Sequence, residues 1–189
     1  MRSTLPRRVR HPVCVAEPAR FRDYGHGLVA FSDLIYVVCP ACTGRATVIE
    51  RPGLPDRRYE SDLFFRSRRL SCQICAASRE WTAGPRGAGA AGATFGGPAD
   101  PFFGLTLWLQ APCQGHVLWA YNQRHLDVLE RYVSARLRER RRAACEMGML
   151  ERLPVWIKAA GSREGVLSGI GHLRLQLSRT EPGTGPAST

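Results

Sequence analysis

Hydrophobic and polar positions alternate in short runs through the first half of the chain and switch to a helical period in the second half. Leu34 to Val38, a β-branched and aromatic run, predicts a strand, and Ala46 to Ile49 predicts another. Leu63 to Phe65 and Arg69 to Ser71 lead into Cys72-Gln73-Ile74-Cys75, and Glu80-Trp81 follow. Further on, Leu105 to Gln110 and His116 to Tyr121 read as half-buried strands joined through Ala111 to Gly115, a β-hairpin. Asn122 then stands as the N-cap of a helix predicted over 123–144, whose apolar positions Leu126, Leu129, Val133 and Leu137 recur at spacings of three and four. Leu150 to Ala160 predicts a short helix with Pro154 in its first turn. A last helix is expected after Ser162, with Val166, Ile170, Leu173 and Leu177 on one side and Gly165, Gly169 and Gly171 weakening it.

This pattern divides the chain into five parts. Residues 1–27 are a basic, proline-rich arm, 28–81 a compact β region, and 82–100 a Gly/Ala-rich linker or loop insertion. Residues 101–178 carry the hairpin and about three helices, and 179–189 are a tail expected to be disordered. The fold class is α+β.

The decisive chemistry lies in the β region. Cys39-Pro40-Ala41-Cys42 and Cys72-Gln73-Ile74-Cys75 each follow a strand-like run. A CxxC turn brings two sulfurs to one ion, and two such turns close a tetrahedron, which is the donor set zinc favours. The 29 intervening residues, 43–71, exceed the roughly 15–20 typical of this pattern, and the polar stretch 51–61 accommodates the excess. The expected architecture is therefore a zinc ribbon, two CxxC knuckles on β-hairpins, with zinc as cofactor. The competing redox reading of the CPAC motif requires a helix after it, whereas Thr43-Gly44-Arg45 runs into a β-type segment.

Cys113 and His116 form a CxxH turn, a candidate second knuckle or metal pair that lacks two ligands, with Cys145 and His125 the distant ones considered. Cys14 reads as a free thiol. His125 and Asp127 fall on different helical faces and make a poor catalytic dyad.

Seven cysteines with no apolar leader behind Arg2, Arg7, Arg8 and Arg10 point to a reducing, cytoplasmic setting. No apolar run is long enough to span a membrane. The formal charge of +11 points to polyanionic partners, DNA or RNA. Lys158 is the only lysine, and the richness in Ala, Gly and Pro suggests a GC-rich genome, so codon supply is an alternative to selection for phosphate contact as the source of these arginines. Candidate nucleic-acid residues are Arg57, Arg58, Arg66, Arg68 and Arg69 beside the ribbon, with Arg138, Arg140, Arg141 and Arg142 at the predicted end of the long helix.

The CPAC and CQIC pairs resemble the zinc ribbons of the transcription-factor-B type, found also in primosomal helicases and small bacterial proteins. The segments 101–110, 113–116, 118–122 and 153–158 resemble an uncharacterised family of bacterial zinc-ribbon-containing proteins. The likeness covers roughly residues 30–178 apart from the Gly/Ala stretch, which looks like an insertion. It implies zinc at Cys39, Cys42, Cys72 and Cys75, and contact with DNA, RNA or protein by association only. Three functions follow, in order of preference. The first is a non-catalytic nucleic-acid-associated module, and the second a protein-interaction adaptor or self-associating chain. The third is a metal-dependent enzyme, for which no Walker loop, HExxH or GxSxG motif is present.

Overall fold

The computed structural model describes residues 20–23, 25, 27–86, 89–135, 137–140 and 148–178. Short strand β1 (Arg20–Asp23) is followed by a 3-10 turn at Leu28–Phe31. Strands β2 (Leu34–Val38), β3 (Arg45–Glu50), β4 (Arg68–Cys72) and β5 (Ser78–Trp81) form one antiparallel sheet in the order β2-β3-β4-β5. Alternation explains which side faces inward, because successive strand residues point to opposite faces. Ile35, Val48 and Leu70 lie side by side across three strands, and Val37, Ala46 and Cys72 make the next row, all of them buried. Between β3 and β4 a 3-10 turn, Glu60–Phe64, is held by the Asp62 carboxylate accepting from the backbone amides of Arg58 and Tyr59 at 3.1 Å.

The free edge of β2 is covered by the second half of the chain. Val38 donates its amide to the Thr106 carbonyl, Trp108 donates to Tyr36, and Tyr36 donates to Tyr121, each at 2.9 Å. Residues of both halves consequently share one apolar cluster, from Ile35 and Val37 through Leu107 and Leu118 to Ile170 and Leu173. Within 82–100, β6 (Gly84–Arg86) pairs with β7 (Gly89–Ala91). Ala93 is buried, and Phe95 meets Phe64 and Phe102 edge to face. Asp100 is buried as well, its carboxylate accepting the amides of Phe102, Phe103 and Leu105.

The predicted hairpin exists with a different register. Its strands are β8 (Leu109–Cys113) and β9 (His116–Ala120), and the turn is only Gln114-Gly115, both at positive φ (51° and 77°) as a tight primed turn requires. Pro112 is tolerated inside β8 because this sheet has two strands and the missing N–H points away from any ladder. Helix α1 (Gln123–Ser134) starts at the expected cap, with Asn122 Oδ1 accepting the His125 amide at 2.9 Å, and it buries Leu126, Leu129 and Val133.

The expectation that this helix runs to residue 144 is wrong. It stops at Ser134, Ala135 is extended, and Leu137–Arg140 form β10, pairing in parallel with β1. Arg163 donates to the Ala135 carbonyl that the helix end leaves free. A strand partner more than a hundred residues away thus overrides a locally continuous helical pattern. Part of the expected N-terminal arm is that partner.

Helix α2 is a single turn, Val155–Lys158, after Pro154. A 3-10 turn at Ala160–Ser162 leads into α3 (Arg163–Ser178), which packs on β8 and α1 and buries Val166, Ile170 and Leu173. Two glycines read as weaknesses are contact points: a Cβ on Gly169 would stand 2.9 Å from Leu118 Cδ2, and one on Gly165 would strike the Gln114 side chain. Gly171 has nothing near it. Among the described residues no helix is long and apolar enough to cross a membrane.

Candidate metal centre

The four cysteines of the two CxxC pairs converge at one end of the four-stranded sheet. Cys39 directly follows β2 and Cys72 is the last residue of β4, so the sheet itself sets the two turns opposite each other. All four sulfurs lie within 4.8 Å of one another. Cys39 Sγ is 3.7 Å from Cys75 Sγ, and Cys42 Sγ is 3.6 Å from Cys72 Sγ. A tetrahedron with metal–sulfur bonds of about 2.3 Å has edges of about 3.8 Å, so these separations fit a four-thiolate ion site. Both short contacts run from one turn to the other, which is the geometry of a clamp and not of a CxxC disulfide.

The two turns repeat one another. Cys39 donates its amide to the Gly44 carbonyl at 2.7 Å, and Cys72 donates to Ala77 at 2.9 Å, the same five-residue closure. Thr43 (φ 60°) and Ala76 (φ 58°) occupy the left-handed region one residue after the second cysteine of each turn. In the first turn the Ala41 amide also points at Cys39 Sγ, 3.4 Å away, a hydrogen bond that favours the thiolate. Gly44 lies against the facing turn, since a Cβ there would lie 2.4 Å from Ile74 Cδ1 and displace that side chain.

The electrostatics describe thiols that cannot ionise independently. Burial opposes charge on Cys39, but hydrogen bonds from the backbone at Ala41 and Cys42 and from the Cys72 and Cys75 thiols bring it down to about 7. At Cys42 the Gly44 backbone favours ionisation, but the neighbouring Cys75, burial and the two other thiols outweigh it and push the group up to about 12. One thiolate forms readily and resists the next, and a bound cation removes that repulsion. Cys39 and Cys72 are buried, Cys42 is half-buried and Cys75 is exposed, so one side of the site reaches solvent.

Cys113 and His116 do not converge with other ligands. Their backbones are paired across the hairpin, but the buried Cys113 thiol donates to the Gly165 carbonyl at 3.5 Å beneath α3, and burial raises its pKa. His116 is exposed and stacks on Trp156 at 4.8 Å. Among the described residues the four-cysteine group is the only cluster of three or more potential metal ligands. Cys14 and Cys145 lie outside them. His125 is buried against Phe31, with Trp119 and Tyr121 edge-on, far from a dyad with Asp127, which pairs with Arg174.

The candidate nucleic-acid arginines have varied fates. Arg68 is fully buried and donates to Ser32 O at 2.7 Å and Leu63 O at 3.2 Å, with its guanidinium 4.2 Å above the Phe102 ring. It is a core residue, not an exposed phosphate contact. Arg66 pairs with Glu50 at 2.6 Å, and Arg57 approaches the same carboxylate at 3.8 Å. Arg69 pairs with Glu80 at 2.9 Å. Arg58 is exposed. Arg138 and Arg140 belong to β10, and Arg141 and Arg142 lie outside the described residues.

The residues that sequence reasoning missed are the supports of the turns: the left-handed Thr43 and Ala76, the Ala41 amide and the close approach at Gly44. Thr43-Gly44 carried a turn signal, while Ala76-Ala77 carried none. The fold and site define an α+β protein with a four-cysteine centre able to hold one metal ion. No protein-family model, curated protein or solved structure matches the chain.

Proposed function

We propose that Cys39, Cys42, Cys72 and Cys75 bind one structural zinc ion and that the chain is a non-catalytic binding module of the zinc-ribbon kind. The observation that carries this is the set of four sulfurs brought together by two equivalent turns. Four soft thiolates favour zinc over magnesium, calcium or manganese, which prefer oxygen donors. With four protein ligands the coordination sphere is closed, leaving no position for a substrate, and the metal's contribution is folding free energy. The kinship with bacterial zinc-ribbon proteins is part of this proposal and rests on the motifs quoted above.

For a partner we propose nucleic acid. Its support is the net charge of +11 and not the arrangement of particular arginines, several of which are already paired or buried. The test is binding of single- and double-stranded oligonucleotides by fluorescence anisotropy across a salt series. The reading expects affinity to fall steeply and linearly on logarithmic axes as salt rises. Absence of binding at low salt refutes it. The adaptor reading draws on exposed apolar side chains, Ile74 at the metal centre and Val117 and Val155 away from it. It predicts association with a protein that is insensitive to salt.

A further inference from the structure

A cleft of about 1180 Å³ lies apart from the cysteine cluster, lined by residues of the 3-10 turns, the 93–97 loop, β9, α1 and the 149–157 segment. Four aromatic side chains besides His125 contribute to its lining: Phe64, Phe95, Trp119 and Trp156. His125 also lines it. The His125 ring is 2% exposed, and its Nδ1 accepts the Tyr121 amide at 3.2 Å. Accepting at Nδ1 places the proton of the neutral ring on Nε2, and burial, which pushes the pKa down to about 3, keeps the ring neutral.

That Nε2–H has no partner among the described residues. The residue that carries this donor lines the cleft. A donor fixed in position on a buried residue, beside aromatic rings and with no partner among the described residues, has the character of a recognition group, because a ligand that matches it gains a hydrogen bond in a desolvated setting. Among the described residues of the lining the charged side chains are Glu60 and Arg152, one of each sign, which favours an uncharged ligand.

We propose that this cleft is a binding site for a small, uncharged, planar aromatic molecule bearing a carbonyl oxygen. The aromatic body packs against the aromatic side chains of the lining, and the carbonyl accepts from His125 Nε2. The site is independent of the metal reading and of any nucleic-acid partner.

The test uses the full, metal-loaded chain and two probes of equal ring size, 1-naphthamide and naphthalene, with binding read by tryptophan fluorescence and calorimetry. The amide should bind at one saturable site about tenfold more tightly than naphthalene, the difference of one buried hydrogen bond. Nitrogen-15 spectra of the imidazole should show the His125 Nε2 proton shifting on addition of the amide. Val117→Arg, which places a long cation on the cleft wall from a half-exposed position, should abolish binding while metal content and melting temperature hold. If that variant fails to fold, the probe comparison and the imidazole shift still decide. No saturable binding, equal affinity for the two probes, or an unmoved His125 proton overturns the proposal.

Discussion

Thr43 and Ala76 hold the same station in two turns that face each other across the four-cysteine cluster, each left-handed and each directly after the second cysteine of its pair. Such a conformation costs a non-glycine residue roughly 1–2 kcal/mol, most clearly a β-branched one. Thr43→Gly should therefore stabilise the protein by up to about 1 kcal/mol after the added freedom of the unfolded chain is counted. Chemical denaturation of the metal-loaded form measures it, and a loss of stability would mean that the Thr43 hydroxyl, which donates to the Cys42 carbonyl, matters more than the strain.

Asn122 joins the two halves of the molecule. Its Oδ1 caps α1 and its Nδ2 donates to the carbonyls of Phe31 and Leu34 at 2.7 and 2.6 Å. Asn122→Ala removes a cap worth about 1 kcal/mol and strands two carbonyls in a buried setting, so a loss of about 2–4 kcal/mol is expected. Asn122→Asp keeps the cap and loses both donors. A denaturant midpoint for Asn122→Asp equal to wild type would show that the capping bond alone matters.

The last helix offers a paired test. Gly171→Ala meets open space and should stabilise by roughly 0.5–1 kcal/mol through helix propensity. Gly169→Ala gains the same term, but its Cβ presses on Leu118 and lies 3.4 Å from Cys113 Sγ, and overpacking of about 1–3 kcal/mol outweighs the gain. Thermal melts of the two variants should move in opposite directions.

Buried His125 makes stability depend on pH. Its folded pKa, held by burial near 3, lies below the ordinary 6.5, so the unfolded chain binds the extra proton between those values. Stability from this group is fully present above pH 6.5 and is lost as pH falls from there toward 3. By pH 5 the loss is about 2 kcal/mol relative to pH 7. Because thiolate ligands also protonate in acid, the quantity to measure is the difference between wild type and His125→Gln. That variant should show a shallower slope between pH 7 and 5, and identical slopes would contradict the assignment.

The parts legible in the sequence are those governed by short-range physics. The runs at 34–38 and 46–49 alternate cleanly, Asn122 is a good cap, and the CxxC pairs carry their own chemistry. What stayed hidden depends on distant partners. Nothing within 123–144 signals that Leu137 leaves the helix to pair beside Arg20. Pro112 obscured the true extent of β8, because proline normally ends a strand and is accepted here only in a two-stranded hairpin. Arg68 read as surface charge, since the ring of Phe102 and the carbonyls of Ser32 and Leu63 that hold it come from separate segments.

The most direct test of the central claim is native mass spectrometry on the chain purified without an affinity metal, combined with thiol titration before and after chelation. The account predicts one zinc per chain and four thiols that react only once the zinc is withdrawn. A metal-free chain whose four CxxC thiols react freely, or one carrying a reversible disulfide within either pair, would contradict it.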